Sequence, residues 1–169
     1  MEKSKTLFVL IGAPASGKST WAMEYLTSMD EAVLWVSRDK IRFSIIKENE
    51  DYFAQEKLVY STFINSIKEG LETHDTVIAD ATHITVGSRK KLFKALGDAI
   101  KDVEVIAMVV KTDYKTALAR NAQRHGREYV PPCVLESMYE SFTIPTLEEG
   151  FNQIWVYENN RYVVTKEVD

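Results

Sequence analysis

Gly12-Ala13-Pro14-Ala15-Ser16-Gly17-Lys18-Ser19-Thr20 follows an apolar run, Leu7 to Ile11, and precedes a helical pattern that begins near Lys18. The spacing fits G-x-x-x-x-G-K-[ST], a phosphate-binding loop, and both flanks supply the strand–loop–helix setting that the motif requires. In that geometry backbone N–H groups and the positive end of the helix converge on a β-phosphate. Lys18 then reaches the β/γ oxygens and the Ser19 hydroxyl ligates Mg²⁺. Gly12 and Gly17 allow a backbone approach that a Cβ would obstruct. The bland alternative is an isolated glycine-rich turn between a strand and a helix. ATP and Mg²⁺ are the ligands the motif leads one to expect.

Three further groups could do chemistry beside such a loop. Asp39 and Arg42 stand three apart in a predicted helical turn, so they project from one face. A carboxylate there could accept a proton from an attacking hydroxyl while the guanidinium holds a phosphate of the acceptor; the alternative is a solvated surface pair. Asp80 ends the apolar run Thr76–Ala79, where an acidic residue holds the Mg²⁺ shell, orients an arginine, or simply caps a turn. His83 follows as a substrate contact or a turn residue, with no partner at metal-ligand spacing. Arg120 and Arg124, four apart on a predicted helix, share a face, and Arg127 follows in a glycine-bearing loop. Guanidinium groups so placed could stabilise the charge that phosphoryl transfer spreads over its oxygens, or form an ordinary basic helix face.

The elements that must position these groups are legible as five apolar runs: Thr6–Ile11, Ala32–Val36, Thr76–Ala79, Val103–Val110 and Gln153–Tyr157. Near-continuous apolar runs separated by helical patterns read as a mostly parallel sheet buried on both faces, hence an α/β three-layer sandwich with ligands at the carboxyl ends of the strands. Helices are predicted from Lys18 to about Thr27, after Ser37 as N-cap, over Glu50–Leu71 with Gly70 as terminator, over Ser88–Ile100 with a basic first half, over Tyr114–Arg124 capped by Asp113, and over Cys133–Phe142 with Pro145 beyond it. The tail Arg161–Asp169 is expected to continue an edge strand or fray.

At 169 residues, 45% hydrophobic and 27% charged, the chain suits a single domain, 1–169, with a lid at about 120–132. A net charge of −4 excludes the global basic field of an extended duplex binder but allows a site that grips one nucleotide end. No apolar run approaches the roughly 20 residues that span a bilayer, so no membrane partner and a cytoplasmic location are expected. Cys133, the only cysteine, is expected to be a buried or half-buried structural thiol and excludes both an internal disulfide and a zinc cluster.

Taken in order, these residues resemble the kinase domain of the phage and bacterial 5′-polynucleotide kinases, from Leu7 to about Pro145. Residues 12–21 resemble that family's P-loop, including Trp21, and Ser37-Arg38-Asp39-Lys40-Ile41-Arg42 is similar to its R-D-x-x-R segment. The resemblance implies Asp39 as general base for a 5′-hydroxyl and Arg42 as the clamp on the acceptor's phosphate. Asp80-Ala81-Thr82-His83 resembles the turn after its third strand, with His83 where asparagine is expected. Ala119-Arg120-Asn121-Ala122-Gln123-Arg124 resembles its lid, with Arg124 the implied transition-state arginine and Arg120 a nucleotide-phosphate contact.

The expected activity is therefore ATP-dependent phosphorylation of the 5′-hydroxyl end of DNA or RNA, as in nucleic-acid repair. Without a D-x-D-G-type motif before Asp169, no 3′-phosphatase activity is expected. Two alternatives stay open: a kinase of a small hydroxyl-bearing metabolite or nucleoside, and a non-kinase NTP-dependent switch module. The lid helix and the turn near Asn159 are candidate purine contacts.

Overall fold

The structure is a computed structural model describing residues 4–158 and, for their backbone, 161–167. Six strands form one sheet: β1 (Lys5–Ile11), β2 (Val33–Ser37), β3 (Thr76–Asp80), β4 (Val103–Lys111), β5 (Gln153–Glu158) and β6 (Arg161–Glu167), in the order β2-β3-β1-β4-β5-β6. The first five are parallel to their neighbours and β6 pairs antiparallel with β5, so the expected edge strand is present. Six helices flank the sheet: α1 (Lys18–Ser28), α2 (Arg38–Ile45), α3 (Glu56–Thr73), α4 (Val86–Leu96), α5 (Tyr114–Ala122) and α6 (Pro132–Ser141). This is the α/β three-layer sandwich that the alternation of runs predicts. Among the described residues no helix is long and apolar enough to cross a membrane.

β1 lies at the centre and alternates its side chains between two cores, because successive Cβ atoms of a strand point to opposite faces. Leu7, Val9 and Ile11 join Phe63, Ile67, Leu92 and Leu96 from α3 and α4. Phe8 and Leu10 join Trp21 and Ala22 of α1 with Ile78 and Met108. Trp21 stacks on Tyr25 and meets Phe8 edge-on, which seats the helix behind the phosphate-binding loop. At about 1.5–3 kcal/mol for each large apolar side chain buried, these two cores fix the strand ends to which the polar residues are attached.

Local chemistry sets most boundaries. Ser37 caps α2 by accepting from Lys40 N–H, and Asp113 caps α5 by accepting from Thr116 N–H. Three expectations are corrected. α3 starts at Glu56 rather than Glu50, because residues 50–55 are spent on turns such as Ala54 N–H to Asp51 C=O. Gly70 does not terminate α3: a Cβ there would stand 2.6 Å from Leu34 Cδ2, so the glycine lets the helix press onto β2 and β3 and the helix runs on to Thr73. Cys133 is exposed, on the first turn of α6, and Leu135 is the buried residue of that helix. α6 ends at Ser141, ahead of Pro145.

Candidate active site

The carboxyl ends of β1, β2, β3 and β4 gather the chemistry. After β1, Gly17 adopts φ 102°, left-handed backbone open to glycine, and a Cβ on Gly12 would meet Ser16 Oγ at 2.7 Å and the Val110 carbonyl oxygen at 3.0 Å. No side chain caps α1, so its first-turn N–H groups are available to an anion. Ser16 Oγ is buried without a hydrogen-bond partner. Lys18 Nζ donates to the Ala13 carbonyl at 3.0 Å; burial pushes its pKa down, while the negative charges of Asp80 and Asp39 work against that shift.

An open cleft of about 850 Å³ runs over this loop, lined by residues 15–20, the end of β4 and the two residues after it (Val110 to Asp113), Thr116, Arg120, Arg124, Tyr157 and Glu158. Thr112 Oγ1 donates to Ser16 C=O at 2.7 Å, tying β4 to the loop. Arg120 Nη1 reaches the same carbonyl at 3.5 Å, and Arg124 Nη1 donates to Glu128 C=O at 3.3 Å. Arg120 and Arg124 therefore both border the cleft that holds the phosphate-binding loop. The purine contact proposed near Asn159 lies outside the described residues.

Asp39 opens α2 with a side chain 63% exposed, and its Oδ1 accepts from Arg42 Nη1 at 3.0 Å and from Tyr52 O–H at 2.8 Å. Arg42 itself is buried, at 4% exposure, with Nη2 donating to both oxygens of Glu56. Arg38 pairs with the same carboxylate. Burial works to raise the Glu56 pKa, but the bond from Arg42 and the charges of Arg38 and Arg42 outweigh it and hold the group below the usual range. Burial and the neighbouring Asp39 charge push the Tyr52 hydroxyl pKa well up, so it stays a donor.

Asp80 is buried at the end of β3, its Oδ2 accepting from Trp35 Nε1 at 3.0 Å. Burial pushes its pKa up, against the pull of Lys18. His83 lies deeper than the open cleft. It is 5% exposed, at φ 45°, with Nδ1 bonded to Leu10 C=O at 2.9 Å; a carbonyl only accepts, so Nδ1 carries the proton. Burial pushes its pKa down to about 4. Buried Arg89 supports it, donating to His83 C=O and pairing with Glu149.

Tyr52 and Glu56 escape the motif-based reading, and the packing of Arg127 is visible only in the fold. Arg127 stacks 4.6 Å above the Phe43 ring and donates to Ile46 C=O at 3.3 Å, docking the loop after α5 onto the end of α2. An acidic residue and a tyrosine soon after R-D-x-x-R were the available signals for Glu56 and Tyr52, but only the fold brings them back onto Asp39 and Arg42.

Mg²⁺ fits the donors present. Among the described residues no three His, Cys, Asp or Glu side chains cluster as a metal cage. The hydroxyl of Ser19 and the carboxylate of Asp80 are hard oxygen donors beside the loop, suited to a hydrated ion that arrives with phosphate oxygens.

The family model described as AAA domain matches residues 7–145. The chain is similar to the L-seryl-tRNA(Sec) kinase of Methanococcus maripaludis, 26% identical over 168 residues, covering 96% of this chain and 61% of the relative. It is similar also to the bifunctional polynucleotide phosphatase/kinase of Schizosaccharomyces pombe, 25% identical over 153 residues, covering 88% of this chain and 32% of the relative. The chain thus spans less than two thirds of the length of either curated relative. Among solved structures, a chain of the Pnkp1/Rnl/Hen1 RNA repair complex superposes with a TM-score of 0.70 at 21% identity, over 83% of this chain and 45% of that one.

Proposed function

The chain belongs to the AAA domain family, with the nucleotide-binding loop of a kinase-type phosphotransferase, and we propose that it transfers the γ-phosphoryl group of ATP to the 5′-hydroxyl end of DNA or RNA. The observation that carries this reading is Asp39. Its Oδ1 is held by Arg42 and Tyr52, and among the described residues Oδ2 accepts no hydrogen bond, leaving it for a hydroxyl proton.

In this mechanism Lys18 and the first-turn N–H groups of α1 hold the β- and γ-phosphates, and Ser19 Oγ would be a ligand of Mg²⁺. Bound Mg²⁺ supplies positive charge that offsets the charge of the phosphate oxygens. The acceptor oxygen forms a bond to the γ-phosphorus while the bond from that phosphorus to the β–γ bridging oxygen breaks, and ADP leaves. The hydroxyl proton passes to Asp39 Oδ2. Arg124 stabilises the charge on the transferring oxygens and Arg120 holds the nucleotide phosphates. The charge of Asp80, beside Lys18, works against the downward push of burial on that ammonium. Similarity to the fission-yeast phosphatase/kinase supports the polynucleotide acceptor.

The Arg42–Glu56 pair favours a second reading. A guanidinium 4% exposed and already neutralised by two carboxylates is a poor clamp for an added phosphate. An acceptor hydroxyl on an uncharged group, such as the seryl group of an aminoacylated tRNA, needs no such clamp, and the similarity to the seryl-tRNA kinase agrees with it. The test is transfer from γ-labelled ATP to a panel: a 5′-hydroxyl oligonucleotide, a 3′-phosphorylated mononucleoside, a seryl-tRNA, free nucleosides and sugars. Labelling of the first two supports the preferred reading; labelling confined to seryl-tRNA replaces it with the second.

A further inference from the structure

Three aromatic rings step outward from the carboxylate at the end of β2. Phe43 and Tyr52 meet edge-on with centroids 6.3 Å apart, and Tyr52 and Phe53 meet edge-on at 4.9 Å. Tyr52 is tied to the chemistry, its O–H donating to Asp39 Oδ1 and its oxygen accepting from Arg42 Nη1 at 2.7 Å. The Arg42 guanidinium stands 4.1 Å over the Tyr52 ring and 5.9 Å from the Phe53 centroid. Phe53, the outermost ring, is 65% exposed, the most exposed of the large apolar side chains among the described residues. Its backbone is nevertheless fixed, with N–H donating to Asp51 Oδ1 at 2.8 Å and C=O accepting from Glu56 N–H at 3.3 Å. A lone exposed phenylalanine needs no explanation. One held by a turn, packed on a ring that hydrogen-bonds the proton acceptor and within reach of a buried cation, forms a surface that lacks a partner only on its outer side.

We propose that Tyr52 and Phe53 form a stacking shelf for the nucleobase of the acceptor's terminal nucleotide, with Phe53 the contacting ring. The proposal rests on the nucleic-acid reading above and deepens it. A nucleobase offers a flat face of the same size as the ring, and aromatic stacking tolerates any base, as an enzyme acting on ends of any sequence requires. The shelf holds the acceptor by its base, which leaves the Arg42–Glu56 pair intact and removes the need for a phosphate clamp. Sugars and other acceptors without an aromatic ring gain nothing from it.

The experiment pairs Phe53 variants with 5′-hydroxyl oligonucleotides whose terminal nucleotide is either intact or abasic. Phe53→Ala raises the KM for the intact acceptor roughly five- to a hundredfold, with the KM for ATP and the melting temperature unchanged, and Phe53→Trp restores it while Phe53→Leu does not. The abasic acceptor is poor for the wild-type protein and loses less than twofold further in Phe53→Ala. An unchanged KM in Phe53→Ala, or an equal loss on intact and abasic acceptors, overturns the shelf. Should the wild-type protein label no oligonucleotide, the polynucleotide reading fails, and quenching of a 5′-terminal 2-aminopurine decides the shelf separately. Quenching by the wild type that is lost in Phe53→Ala supports it, and equal signals from both overturn it.

Discussion

Glu56 closes on Arg42 with both carboxylate oxygens, 2.9 and 2.7 Å from Nη2, while Asp39 takes Nη1 on the other side. One buried cation thus joins the first turn of α3 to the first turn of α2 and fixes how the candidate base stands. Arg42→Ala would leave Asp39 and Glu56 facing a void, and it should cost about 2–3 kcal/mol of stability, a melting-temperature loss of roughly 5–10 °C. Calorimetry of the two proteins measures it. Arg42→Lys recovers only part, because an ammonium cannot reach both carboxylates in the fixed geometry of a guanidinium.

Asp39→Asn keeps the shape of the side chain and its contacts while removing the proton acceptor. The rate of phosphoryl transfer should fall roughly 10²- to 10⁴-fold with nucleotide affinity retained. Single-turnover transfer and equilibrium binding of a labelled nucleotide separate the two quantities. Unchanged nucleotide hydrolysis with no acceptor labelled at all would instead describe a switch module.

Arg120 and Arg124 border one cleft but should differ in what they do. Arg124→Ala is expected to lower kcat roughly 10²- to 10³-fold with a smaller effect on the KM for ATP. Arg120→Ala, which removes the guanidinium beside Ser16, should weaken nucleotide binding about tenfold. Steady-state kinetics with ATP varied distinguish the pair.

His83 makes stability depend on pH. Its folded pKa, about 4, lies below the ordinary 6.5, so the unfolded chain takes the proton first. Its contribution is complete above about pH 6.5 and is lost as the pH falls toward 4, by roughly 3 kcal/mol in all. Asn is the natural replacement, since it tolerates the positive φ of this position and can donate to Leu10 C=O. Urea unfolding of the wild type and His83→Asn at pH 7 and pH 5 should show a smaller acid loss in the variant.

The sheet was readable because β1, β3 and β4 are buried on both faces and leave unbroken apolar runs, and because Ser37 and Asp113 are local caps whose signals need no tertiary context. The phosphate-binding loop was readable for the same reason, being a local backbone shape. Gly70 shows where such reading stops. Its small size answers to Leu34 and Val77, which are distant in sequence, and not to a helix end. Glu56 and Tyr52 are hidden likewise, since their roles depend on the turns at 50–55 folding them back over α2. His83 read as a substrate contact or a turn residue, and its burial against the Leu10 carbonyl is a property of the packed sheet that its position after β3 does not reveal.

Arg127 ties the segment carrying Arg120 and Arg124 to Phe43 and Ile46, at the end of the helix whose first turn bears Asp39. The two halves of the site therefore share a mechanical strut. A displacement at the end of α2 would therefore be felt first by the loop that follows the helix bearing Arg120 and Arg124, before any other part of the cleft wall.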